Sequence, residues 1–207
     1  GAARRPPRPA NAARLARADE RAVRKSLISK QMREGRPDLL WVPVRMVSDD
    51  PAKALGKARQ SELLIARLLP MVGNPKSALA MVSAYFVPAK AGAHYFGNLA
   101  KKGVEVRILT NSWEATDVPM VHAGYTKYRR ELLEDGAHLF ELKRDGERPQ
   151  GKAELGPIGS SGASLHAKTF VVDDNRVFIG SFNFDPRSAL LNCEMGFLID
   201  SPTLAHS

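Results

Sequence analysis

The sequence has one cysteine, Cys193, so no disulfide forms within the chain and a cysteine-based zinc site is not expected. Cys193 lies between Asn192 and Glu194 and reads as a small buried hydrophobe rather than a nucleophile. No run approaches about 18 apolar residues, which leaves no candidate transmembrane helix. No apolar signal core follows Gly1, and the chain reads as part of a longer polypeptide. Histidine is scarce, with five in 207 residues.

Acidic charge is scarce at one end only. Residues 1–36 carry eleven basic and three acidic side chains, a net of +8 out of +9 for the whole chain. The remaining 171 residues are close to neutral, with 20 basic and 19 acidic side chains. A globular part without a basic footprint argues against a nucleic-acid partner. Residues 1–36 are expected to form a basic connector, because no aromatic residue interleaves with the arginines. Anionic lipid headgroups or nucleic acid are the other partners such charge suits.

Residues 1–11, rich in Pro, Arg and Ala, are expected to be irregular, and 12–34 helical up to Gly35–Arg36–Pro37. From residue 37 the pattern alternates. Strands are expected over 39–47, 78–86, 104–110, 138–142, 165–172, 176–179 and 194–200. Helices are expected over 51–71, 91–102 and 118–134, and a polar, glycine-rich loop over 144–163. Such alternation indicates an α/β protein, an α-β-α sandwich around a mixed sheet, with residues 37–207 as one domain.

Residues 164–183 read SLHAKTFVVDDNRVFIGSFN. His166, Lys168, Asp173, Gly180, Ser181 and Asn183 stand at the spacing His-x-Lys, four residues, Asp, six residues, Gly-Ser-x-Asn. On a strand, His166 and Lys168 project from the same face. An imidazole attacks phosphorus or protonates a leaving oxygen, and a neighbouring ammonium neutralises phosphate oxygens. Asp173 has the opposite parity and is expected to support the motif structurally, within an Asp173–Asp174–Asn175 turn. Lys168, Ser181 and Asn183 are the expected phosphate-binding groups. Glu194, a carboxylate in an apolar strand, needs a partner, and the far ring nitrogen of His166 is the expected one. His166, Lys168, Asp173, Asn183 and Glu194 are thus the expected catalytic set.

This motif resembles that of the phospholipase D superfamily. The wording HAKTFVVDDNRVFIGSFNFDPRS with NCEMG, together with SAYFVPAKAG (83–92) and the segment 108–136, is similar to the cardiolipin synthase C type of bacterial phospholipase D-like protein. The similarity covers roughly residues 40–200. It implies a phospholipase D-like fold and a phosphatidyltransferase or phosphodiesterase acting on phospholipids, without metal or other cofactor. It also implies two motifs meeting across a pseudo-twofold axis. One histidine forms a phosphohistidine, and the other serves the leaving and entering alcohols. The match is to the carboxy-terminal half, which makes His166 the acid/base and Glu194 its support. His94, His122, His138 and His206 do not begin a His-x-Lys pattern. The second motif is expected from a missing amino-terminal half or from a second copy of the chain. The resemblance places the protein at the cytoplasmic side of a bacterial inner membrane as a peripheral protein. Two other readings are a homodimeric endonuclease and an inactive half that binds phosphate esters.

Six further positions stand apart from the motif. His122 is expected at a surface or interface, or else lining the substrate entrance. Arg187 is expected to meet a phosphate or to pair with Asp185. Phe182 and Phe184, like Tyr85 and Phe86, are expected in the core.

Overall fold

The structure is a computed structural model that describes residues 26–37, 39–143 and 165–206. The expected irregular segment 1–11, most of the helix over 12–34 and the loop over 144–163 lie outside the described residues. The chain divides into two units, 1–41 and 42–207. In the first unit, helix α1 (Leu27–Arg33) is capped by the Ser26 hydroxyl, which accepts the Ser29 N–H at 3.3 Å.

The second unit is built on one mixed sheet of seven strands. These are β1 (Val44–Ser48), β2 (Ala78–Ser83), β3 (Glu105–Asn111), β4 (His138–Leu142), β5 (Lys168–Val172), β6 (Arg176–Gly180) and β7 (Met195–Asp200). Their order is β1-β7-β6-β5-β2-β3-β4. β2, β3 and β4 run parallel, joined by α3 (Ala89–Lys101) and α4 (Pro119–Glu134). β2–β5, β5–β6, β6–β7 and β7–β1 pair antiparallel. The α/β architecture with a mixed sheet is the one the alternating pattern implies.

Strand parity places the core. Leu79, Met81, Val106, Ile108, Val172, Phe178 and Leu198 lie on one face. They bury against Leu64, Leu68 and Val72 of α2 (Leu64–Val72), Phe96 of α3 and Tyr125 and Leu132 of α4. Positions i, i+4 and i+8 put the three α2 residues on one stripe. The opposite face carries the exposed side chains of Met46, Phe197, Ile179 and Phe140.

The expected strand over 39–47 begins only at Val44. Pro43 offers its carbonyl to the Asp200 N–H at 3.2 Å, but it has no N–H to extend the ladder. Consistent with that proline, β1 is an edge strand. The expected strand over 78–86 stops at Ser83, although Phe86 still bridges to Phe184.

The single helix expected over 51–71 is broken into two short 3-10 turns, Pro51–Leu55 and Gln60–Glu62, followed by α2. Gly56, at φ 66°, closes the first turn, and Leu63, extended at ψ 142°, separates the last two elements. The competing interaction is a buried ion pair. The Asp49 carboxylate accepts from Lys53 Nζ at 2.7 Å, from the Leu64 N–H at 2.6 Å and from the Glu194 N–H at 2.8 Å. The two side chains are 0% and 2% exposed, and Lys53 also donates to the Ser188 carbonyl at 2.9 Å. Asp49 therefore fixes where α2 starts, at the positive end of that helix. A continuous helix from residue 51 would pull Leu64 away from it.

At the far end of β5 the chain turns through Asp173 and Asp174, both left-handed at φ 51° and 50°, and the Asn175 N–H returns to the Val172 carbonyl. Positive φ at two central residues is the hairpin geometry that Asp and Asn tolerate. The Asp173 carboxylate accepts the N–H groups of Lys76, Ser77 and Ala78 and the Ser77 hydroxyl, at 2.8–3.1 Å. Burial favours its neutral form. The bonds from Ser77, Ala78 and Lys76 together outweigh burial and hold the carboxyl below its ordinary value.

Lys53→Met leaves the Asp49 carboxylate buried without its cation, and it is expected to cost about 3–5 kcal/mol in urea unfolding. The double replacement with Asp49→Leu should recover part of that loss. A loss below about 1 kcal/mol for the single variant would mean the pair does not hold this end together. Asp173→Asn tests the other end. A depressed folded pKa gives stability above the unfolded value of about 3.9, lost as pH falls through the folded one. The variant should be about 1–3 kcal/mol less stable at pH 7 and converge on the parent protein as pH falls below the folded value. An equal deficit at both pH values would contradict the account.

Candidate active site

The motif residues other than Asp173 collect at one end of the sheet. The carboxyl ends of β2 and β6 and the amino ends of β5 and β7 lie there together, because Ser83 pairs with Lys168 and Gly180 with Gly196. Beyond the ladders, the Ala84 N–H donates to the Ala167 carbonyl at 3.1 Å, and the Val87 N–H donates to the Phe184 carbonyl at 2.7 Å. The Phe184 N–H reaches the Ser83 hydroxyl at 3.1 Å. The segments 83–87, 165–168 and 180–184 are therefore tied to one another by backbone.

His166 lies just before β5, exposed, and its imidazole makes no hydrogen bond among the described residues. Lys168 is half-buried and donates from Nζ to the His166 carbonyl at 2.8 Å. Burial pushes the Lys168 ammonium below its ordinary pKa, while Glu194, Asp117 and Asp185 pull it back up. The three carboxylates keep Lys168 charged, and an ammonium in a partly dry site is suited to meeting a phosphate oxygen.

Glu194 is buried, but it does not meet His166 as expected. Its Oε2 accepts the Ser181 hydroxyl at 2.5 Å. The physical reason is register. The Ser181 N–H and the Met195 carbonyl bond at 2.9 Å, and the Met195 N–H returns to Ser181 Oγ at 3.0 Å. Glu194, whose backbone is held by Asp49, is thus set directly against Ser181. The Ser181 hydroxyl proton points to a carboxylate in this structure and not to open solvent. Gly180 is needed here because a Cβ would lie 2.5 Å from the Met195 carbonyl.

Asn183 is buried, with Oδ1 accepting the Tyr85 N–H at 3.3 Å. Its amide NH2 makes no hydrogen bond among the described residues, which leaves two donors for an anion. Tyr85 is not strand core as expected: it is half-buried, and its hydroxyl donates to Asp117 at 2.7 Å. Phe86 and Phe182 are buried in the core, and Phe184 packs against it.

Asp173 does not join this group. It follows β5 at the opposite end of that strand from Lys168, about 16 Å away at 3.3 Å per residue. His122 is not a surface residue. It is 9% exposed, edge-on to Trp113 and Tyr125, with Nδ1 at 3.2 Å from the Thr126 hydroxyl. The cause is the apolar face of α4, where His122 and Tyr125 are one turn apart. Arg187 makes no ion pair with Asp185. Asp185 caps helix α5 (Pro186–Leu190) through the Arg187 and Ser188 N–H groups, and the guanidinium reaches Asn192 Oδ1 at 3.3 Å. Cys193 is exposed rather than buried, because parity between Glu194 and the strand turns it outward.

Three groups at this end were missed in the sequence. Asp49, Asp117 and Asn111 are not singled out by the sequence pattern, and Asn111 lies one residue past the expected strand over 104–110. The only signal for Asn111 is an amide directly after the alternating run Val104 to Thr110. Among the described residues there is no cluster of three or more His, Cys, Asp or Glu side chains able to hold a metal ion.

The comparisons with known proteins follow the same lines. The family model described as cardiolipin synthase, PLD-like domain, matches residues 68–207. A curated relative, cardiolipin synthase C of Escherichia coli (strain K12), is 51% identical over 172 residues, 83% of this chain and 36% of that protein. Cardiolipin synthase A of Proteus mirabilis (strain HI4320) is 29% identical over 152 residues, 73% of this chain and 27% of that protein. The chain thus spans about a third of the length of the curated relatives it matches. Among solved structures, Nuc of Salmonella typhimurium, a phospholipase D family member, aligns with TM-score 0.54 at 20% identity, covering 80% of this chain and 88% of that one. At that identity the likeness speaks for the fold. With a family model matching two thirds of its residues, the chain belongs to the cardiolipin synthase, PLD-like domain family.

Proposed function

We propose that this chain is the acid/base half of a phosphatidyltransferase that moves a phosphatidyl group between phospholipid alcohols, or to water. The observation that carries the reading is the 51% identity to a cardiolipin synthase C over 172 residues, beside a family match over residues 68–207 that spans the motif. A histidine from a second motif attacks phosphorus, and the bond from phosphorus to the leaving alcohol breaks. His166 gives that oxygen its proton. The acceptor alcohol then gives its proton to His166 and attacks phosphorus, releasing the first histidine. Lys168 and the Asn183 amide hold the non-bridging oxygens, and Glu194 with Ser181 holds the floor beneath them. No step draws on a metal or other cofactor. Asp173 acts only through the β5–β6 turn, and His122 and Arg187 take no part in the chemistry.

Two features support a lipid over a nucleic-acid substrate. An apolar crevice lined by Leu68, Leu69, Tyr95, Phe96 and Phe182 opens beside Ser83 and Lys168, suited to hydrocarbon next to a phosphate. The globular part also lacks excess basic charge. The second His-x-Lys motif comes from an amino-terminal half or from a second chain. An exposed imidazole without a hydrogen bond supports a site completed from outside.

Membrane contact on the cytoplasmic side of a bacterial inner membrane fits the first unit. No helix among the described residues is long and apolar enough to cross a bilayer. The basic segment is followed by Leu39, Leu40 and Trp41, 59%, 52% and 90% exposed. A basic stretch beside an exposed tryptophan suits an anionic interface.

His166→Ala, in a full-length protein carrying this chain and a second motif, should lower formation of the diphosphatidyl product at least about 100-fold without loss of fold. Chromatography of the lipid products checks it. A protein that cleaves DNA and makes no lipid product would overturn the reading. The chain itself should co-sediment with vesicles containing anionic lipid and detach as salt rises well above 0.1 M, with Trp41→Ser binding several-fold more weakly. Equal binding to neutral vesicles would contradict the membrane assignment.

A further inference from the structure

Asn111 ends β3, and β3 does not neighbour β5, because β2 lies between them. β2 stops at Ser83, and past that end the Asn111 side chain crosses the gap. Its NH2 donates to the carbonyls of Ala84 and Leu165, both at 3.1 Å. Its carbonyl oxygen accepts the Leu165 N–H at 2.9 Å. Bonded to both backbone groups of one residue, the amide reproduces the pairing that a neighbouring strand would supply. Both NH2 hydrogens are used, and the side chain is 3% exposed.

Leu165 immediately precedes His166, while the β5 ladder begins only at Lys168. His166 therefore stands between a ladder on one side and a single side-chain clamp on the other. Its imidazole finds no hydrogen bond among the described residues, so its placement is set by backbone alone. A reacting group misplaced by about 1 Å loses about 100-fold in rate.

We propose that Asn111 is a positioning residue for phosphoryl transfer: it clamps the Leu165 backbone and thereby aims the His166 imidazole, without touching substrate. The proposal rests on His166 being the acid/base. Asn111 donates no proton to the reaction. It narrows the range of positions from which His166 delivers one.

The test uses a full-length protein carrying this chain and a second His-x-Lys motif, with two phosphodiesters of the same phosphatidic acid. One ester has an alkyl alcohol, which leaves only with a proton. The other has p-nitrophenol, which leaves without one. Asn111→Ala should lower kcat on the alkyl ester about 10–100-fold with KM within about twofold, while the pre-steady-state burst of p-nitrophenolate stays within about threefold. Asn111→Asp keeps the size and one acceptor but turns a lone pair toward two carbonyls. It should show the same split and serves where the alanine variant folds poorly. Equal losses on both esters, or no loss on either, would overturn the proposal. His166→Ala is the control for the underlying reading. If it abolishes the p-nitrophenolate burst, or leaves alkyl turnover intact, the acid/base assignment fails independently of Asn111.

Discussion

The buried pair of Asp49 and Lys53 is the interaction on which the site end of this fold depends. It joins the end of β1, the first 3-10 turn, the start of α2, the carbonyl of Ser188 and the backbone of Glu194. A buried ion pair adds little net stability, because desolvation offsets most of the attraction. Its value lies in geometry. A carboxylate with three donors in place has one low-energy arrangement, and each donor comes from a different stretch of chain. Through Glu194 that arrangement passes to Ser181, and through the β6–β7 register to the segment carrying Asn183.

The rest of the site is likewise made of backbone held by polar side chains. Asn111 clamps Leu165, Ser83 clamps Phe184, and Asn183 accepts from Tyr85. These contacts leave the His166 imidazole unbonded and the Asn183 amide with open donors. A floor of satisfied polar groups under a few unsatisfied ones is the arrangement a preorganised phosphate site requires. Asp173 belongs to a different task. It holds the entry of β2 at the other end of β5, and the fixed spacing of the motif reflects the length of that strand and its turn.

The alternating pattern and the fold class were legible because strands such as 138–142 and helices such as 119–134 carry strong periodicity between glycine and proline breaks. The long helix from 51 was misread because its local periodicity is genuine. What breaks it is the contact of Asp49 with Leu64 and Glu194, which no local window contains. Of the site, the motif positions could be read from spacing. The partner of Glu194 could not, since Ser181 and His166 are both plausible acceptors or donors until the β6–β7 register is known. His122 shows the opposite error: a polar residue read as surface is buried edge-on between two aromatic rings. Asn111 was invisible because its role depends on β2 stopping short of its neighbours.

The central claim is that His166 handles protons while the nucleophile comes from outside this chain. Mapping the covalent adduct tests that claim most directly. A full-length protein with both motifs is quenched in acid-free conditions during turnover of a phospholipid, digested and read by mass spectrometry for a phosphatidyl- or phosphohistidine. The account predicts the adduct on a histidine outside these 207 residues, with His166 unmodified. An adduct on His166 itself would contradict it.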